Sequence, residues 1–118
     1  MMATYSREKL VRDVLLELGV LDPNEAPEAE DAACVGERIQ TVLEELNDEG
    51  LIPFQVEAPI PAKYMGPITY IVARELVSQY GVLSRADLLE NRAQGAYGRL
   101  WKLREKTASD EPVKATYF

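Results

Sequence analysis

The chain has 118 residues, 47% hydrophobic and 28% charged, with a formal net charge of −7 from 20 acidic and 13 basic side chains. That is room for one domain with a modest core, in a composition too apolar to stay disordered. An acidic surface opposes wrapping a phosphate backbone unless a local basic patch is present. Histidine is absent, which removes the commonest general base and metal ligand, and with it the usual nucleophile triads and zinc sites.

The first helix is expected to open at Ser6, a good N-cap, and to run to Leu18 with Gly19 as its stop. Leu10, Val11, Val14, Leu15 and Leu18 form one apolar stripe at helical spacing. Val20 to Pro27 reads as a loop around Asp22-Pro23-Asn24. A second helix should begin near Pro27–Glu30, where proline and acids suit a first turn, and reach about Asp48 before Gly50. Ala32, Val35, Ile39, Val42, Leu43 and Leu46 supply its buried side.

Residues 51–62, LIPFQVEAPIPA, hold three prolines among alternating apolar positions. Proline forbids helix and confines any strand to an edge, so this stretch is an extended arm or a short β-hairpin. The arm either packs on its own domain or pairs with another copy. A third helix is expected over roughly Tyr64–Tyr80, stopping at Gly81, with Pro67 in its first turn. Ile68, Ile71, Val72, Leu76 and Tyr80 recur along it at three- and four-residue steps. Ser84 and Asp87 resemble a capping box for a fourth helix that runs to about Lys106. Leu88, Leu89, Ala93, Ala96, Tyr97, Leu100, Trp101 and Leu103 line that helix. The expected fold class is all-α: a small bundle of four main helices over residues 1–106, with the arm at 51–62 and an extended C-terminal tail over 107–118.

Charge is unevenly placed. Ten acids lie between Asp22 and Glu49, where Arg38 is the only base. From Arg99 to Lys106 the balance reverses, with Arg99, Lys102, Arg104 and Lys106 opposed only by Glu105. The asymmetry suits head-to-tail packing of copies, acidic side against basic side; solvated helix faces would give the same pattern.

No constellation of catalytic, cofactor or metal residues emerges. Glu30, Cys34 and Glu37, or Glu45 and Glu49, share helical spacing, but they sit in a helix studded with acids and read as a solvated face. The glycines follow helices singly and cradle no phosphate. Cys34 is the only cysteine, which excludes an intrachain disulfide and fits a reducing cytosol; lacking an activating histidine, it reads as buried and structural. Nothing approaches the roughly 18 apolar residues of a membrane span, and no leader pattern is visible, so neither membrane insertion nor secretion is expected.

The stretch LEELNDEGLIPF is also how a winged-helix recognition helix finishes before its wing, making a DNA-binding regulator the alternative reading. Electrostatics opposes it, because residues 28–49 set eight acids against Arg38 alone. Trp101, with Tyr97 and Leu100, is either core or an anchor at a subunit interface. Tyr117 and Phe118 end a short polar tail that either frays or docks on a neighbour.

The order of elements resembles the head-to-tail adaptors (connectors, or tail accessory factors) of tailed bacteriophages, especially the short-tailed kind. KLVRDVLLELGVL, the acidic helix closing in VLEELNDEGLIPF, the helix ITYIVARELVSQYGV and the stretch AYGRLWKLREKTAS carry the resemblance. The matching punctuation is Leu18-Gly19, Glu49-Gly50-Leu51-Ile52 and Tyr80-Gly81, and the likeness spans Tyr5 to about Thr107. The tail is shorter here than in some members. The resemblance implies a non-enzymatic virion protein at the head–tail junction, made in the host bacterial cytoplasm. It would form a homo-oligomeric ring of about twelve copies beneath the portal protein. Such a ring extends the channel for packaged double-stranded DNA, helps retain that DNA, and gives a downstream tail or nozzle protein its platform. Portal or neighbouring-subunit contacts are then expected at Lys102, Arg104, Lys106, Tyr117 and Phe118, with Phe54 and Ile60 in the arm.

Overall fold

The computed structural model describes residues 3–109. A two-residue strand, β1 (Thr4–Tyr5), leads into α1 (Arg7–Leu18). The Ser6 hydroxyl accepts from the Lys9 N–H at 3.2 Å and satisfies one of the unpaired donors of the first turn. Gly19 adopts φ +78° and donates to the Leu15 and Leu16 carbonyls, a left-handed stop that glycine takes without strain. All five residues of the expected apolar stripe are buried.

Helix α2 (Ala29–Asp48) begins without a side-chain cap, but Glu30 and Asp31 lie against the positive end of its dipole. Val35, Ile39, Val42, Leu43 and Leu46 are buried, whereas Ala32 is half-buried. Gly50, at φ +74°, turns the chain so that Leu51 N–H donates back to Leu46.

The arm lies on its own body. Leu51 and Ile52 are buried, and Phe54 stands edge-on to Tyr64 with ring centroids 5.3 Å apart. Arg7 donates to the Val56 carbonyl at 2.7 Å, and Asn47 donates to the Phe54 carbonyl at 3.2 Å. The strand here, β2 (Ile60–Pro61), forms no hairpin within 51–62. It pairs antiparallel with β1, Tyr5 opposite Ile60 and Thr4 opposite Pro61, and Ala62 N–H extends the pairing to the Ala3 carbonyl.

Helix α3 (Ala62–Glu75) therefore starts earlier than Pro67 suggests. Pro67 lies inside it and withholds a donor from the Lys63 carbonyl, on an exposed turn where water can substitute. Tyr64, Met65, Ile68, Thr69, Ile71, Val72 and Ala73 are buried; the Thr69 hydroxyl donates to the Met65 carbonyl at 2.7 Å and so enters the core satisfied. The expected single helix breaks at Leu76 (φ −103°, ψ 1°), and α4 (Val77–Tyr80) continues to Gly81. Leu76 and Val77 are both buried, so the apolar stripe survives the break.

Ser84 is not an N-cap here, because it falls inside a 3-10 turn (Leu83–Arg85) that feeds α5 (Ala86–Ser109). Leu89, Ala93, Ala96, Leu100 and Leu103 make the buried face of α5. Leu88 and Trp101 were expected on that face but are 41% and 46% exposed. Each adjoins a buried leucine, and about 100° of rotation per residue carries it off the face.

Helix α3 packs against α1, α2 and α5, and forms the middle of a mostly helical fold. Glu17 ties α1 to the start of α5: its carboxylate pairs with Arg92 and its backbone carbonyl accepts from Arg85 Nε at 3.0 Å. Arg92 stacks over Tyr70, and Arg74 lies over Tyr97 and beside Glu90. No helix is long and apolar enough to cross a membrane among the described residues.

Two predictions follow from this packing. Ile60 is fully buried, so Ile60→Ala should cost about 2–5 kcal/mol of unfolding free energy, whereas Trp101→Ala should cost under about 1 kcal/mol in the isolated chain. Urea titrations of the two variants check the contrast. Tyr80 donates to Asp31 Oδ1 at 2.9 Å. Burial first, then hydrogen bonds to Asp31 and Cys34, push its phenol well above the ordinary tyrosine range. The folded state thus keeps a proton that the unfolded chain loses near pH 10, so stability should fall as pH rises past about 10. Tyr80→Phe should cost about 1 kcal/mol at neutral pH and flatten that alkaline decline, with buried Tyr64 supplying the remainder.

Candidate interaction surface

Two exposed helical ridges hold most of the uneven charge. The outer side of α2 presents Glu30, Ala33, Glu37, Thr41, Glu44 and Asp48 at steps of three, four, four, three and four, with Glu45 alongside. The outer side of α5 presents Leu88, Asn91, Gly95, Arg99, Lys102 and Lys106, again at steps of three and four, with Gly98 and Trp101 on its flank. Both helices turn their opposite sides to α3.

The basic block of α5 does not act as one patch. Arg104, though exposed, turns toward the end of α2: it stacks over Trp101 at 5.1 Å, and its Nε and Nη2 lie 3.9 Å from where a Gly50 Cβ would be. A guanidinium there lies just past the carbonyl end of α2, where a cation is favoured. Lys102 and Lys106 remain on the outer ridge, both exposed.

The arm residues separate likewise. Phe54 is half-buried against Tyr64 and borders a shallow groove with Glu44, Asn47 and Gln55. Ile60 has no exposed surface and belongs to the core, so its side chain is not a contact point of the folded chain. Its strand also has a backbone partner in β1. Tyr117 and Phe118 lie outside the described residues, with most of the expected tail; α5 itself runs three residues beyond Lys106, to Ser109.

Cys34 is half-buried rather than enclosed, and its sulfur accepts from Gln79 Nε2 at 2.9 Å. Between α1 and the start of α2 lies a groove of about 420 Å³, lined by Val11, Pro27 and Ala32 with Glu8, Lys9 and Arg12 on its rim. Lys9 is paired with Asp13 at 2.9 Å, and Arg12 donates to the Glu25 carbonyl at 2.7 Å. Among the described residues, no group of three or more Cys, Asp or Glu side chains could hold a metal ion. The chain after α2 does not fold into a two-stranded wing, since its β residues join β1 instead. The outer α2 ridge offers acids where a recognition helix would offer bases.

Sequence reasoning located the charge blocks and missed the glycines of α5. Gly95 and Gly98 stand three residues apart in mid-helix, and a Cβ on either would meet nothing within 4 Å. Their spacing was the available signal, since they follow no helix and so cannot be stops. No family model matches the chain, and neither a curated protein nor a solved structure is significantly similar to it.

Proposed function

We propose that this chain is a structural assembly protein without catalytic activity, a head-to-tail adaptor of a tailed bacteriophage. In this reading its helices form one bundle of four principal members: α1, α2, α3 with α4 as its continuation, and α5. About twelve copies form a ring under the portal. The ring extends the DNA channel, helps retain the packaged genome and carries the next tail or nozzle protein, so the site of action is the head–tail junction of the virion.

The observation that carries the reading is the pair of oppositely charged, outward ridges on α2 and α5. A subunit with two different, complementary sides makes heterologous contacts, and such contacts close into rings when the rotation permits. Trp101 supports it, being 46% exposed in a chain whose other large apolar groups are mostly enclosed, since exposed aromatics dominate interface energetics. A net acidic subunit also suits a channel along which DNA slides without adhering. The resemblance of the order of helices and stops to that of the phage adaptors supports the phage assignment.

Negative-stain imaging and sedimentation of the purified chain, alone and mixed with the portal protein of the same phage, test the reading. Rings on the portal are the expected outcome, whether or not the free chain is already assembled. A chain that stays monomeric with portal present, and leaves portal sedimentation unchanged, would overturn it.

A further inference from the structure

The two ridges cannot meet within one molecule, because α2 and α5 each pack their opposite sides onto α3. Each ridge is complete, exposed and matched to the other. Arg99 and Lys102 project from the α5 ridge, and Glu30, Glu37, Glu44 and Asp48 project from the α2 ridge. Along α2, Glu37 and Glu44 stand seven residues apart, about 10.5 Å, with the small Thr41 between them.

The α5 ridge has a further property that its own fold does not use. Glycine in a helix interior costs about 1 kcal/mol relative to alanine, and α5 carries two, Gly95 and Gly98, on its solvent side. Among the described residues nothing lies close enough to exclude a methyl group at either position, as is also true of Gly36 in α2 and Gly66 in α3. Bare backbone there lets a second helix approach closely, with Leu88 at one end and Trp101 and Lys102 at the other. On α2, Ala33 and Thr41 keep the facing ridge low between its acids.

We propose that the α5 ridge of one copy docks on the α2 ridge of a second copy, with Arg99 and Lys102 against the Glu37–Glu44 side and the Gly95–Gly98 backbone against Ala33 or Thr41. This rests on reading the chain as a self-assembling subunit, and it names the surfaces used. A docked pair keeps one unused ridge of each sign, the acidic one on one copy and the basic one on the other, so the contact propagates from copy to copy. Because charge supplies the register, the contact weakens as salt rises.

The test uses the full chain with Cys34→Ser as background, carrying either Lys102→Cys or Glu37→Cys. Mixed in a thiol–disulfide buffer at low salt, the two proteins should give a mixed disulfide exceeding either homodimer about tenfold, with the excess falling toward the statistical ratio at about 1 M salt. Circular dichroism checks that both variants fold. In cysteine-free chains, Arg99→Glu should weaken low-salt self-association about three- to tenfold by sedimentation, and a partner carrying Glu37→Arg should restore it. Statistical yields at low salt, or restoration failing in folded proteins, would overturn the contact. So would a basic ridge that retains duplex DNA at physiological salt without pairing copies. If the cross-link forms and portal is ignored, the adaptor reading falls and this contact stands; if portal rings form without the cross-link, the reverse holds.

Discussion

Helix α3 has to be covered on almost every side, and the rest of the molecule is arranged to do it. Tyr64, Met65, Ile68, Ile71, Val72 and Ala73 turn through most of its circumference and are buried, leaving only a narrow strip through Lys63, Gly66, Tyr70 and Arg74. A helix apolar all round is unstable in water and gains its stability by burial, at about 1.5–3 kcal/mol for each large side chain enclosed. α1, α2 and α5 supply three walls, and the arm closes over Tyr64 with Phe54 and Ile60. The far half of the open strip is partly covered: Arg92 stacks on Tyr70, and Arg74 is held by Tyr97, Glu90 and Glu75.

This constraint decides what remains for other molecules. Every wall helix spends one face on α3 and presents the opposite face to solvent. For α1 that outer face is partly occupied by loop carbonyls, since Arg12 reaches back to the chain around Glu25. For α2 and α5 it stays open, and those are the helices where acids and bases were concentrated. Uneven charge along the sequence thus becomes uneven charge in space, although Arg104 departs from the pattern by folding inward onto the end of α2.

The sequence made the local structure legible wherever one interaction dominated. Ser6 and Gly19 bounded α1 because cap and left-handed stop act within four residues. The misplacements arose where distant residues decided the outcome. Nothing near Ile60 announces that Thr4 and Tyr5 will pair with it, and two-residue strands carry no period to detect. That pairing fixes the entry to α3, and the helix then runs through Pro67 despite the lost hydrogen bond. Ser84 matched a capping pattern, yet the turn after Gly81 holds Arg85 at the Glu17 carbonyl and places Ser84 within a 3-10 turn. The candidate surface was legible as charge and not as shape. Arg99 and Lys102 are where the composition put them, whereas exposure of Trp101 depended on helix phase and burial of Ile60 on the arm folding back over its own body.

In the proposed contact, the glycines of α5 would set stability and assembly against each other in so small a domain. Alanine at both positions would strengthen the helix by about 2 kcal/mol in total, a sizeable share of the few kcal/mol by which a domain of this size is stable. A helix packed only within its own chain gains nothing from that loss, because no neighbour among the described residues occupies the space a methyl group would take. The same deficit is offset where another backbone lies against the bare strip, since dispersion contacts grow steeply as two helices approach. Trp101 and Leu88, exposed beside that strip, would then be buried by the same contact. Under the proposed contact, weak spots in the isolated subunit and strong points in the assembly would be the same residues.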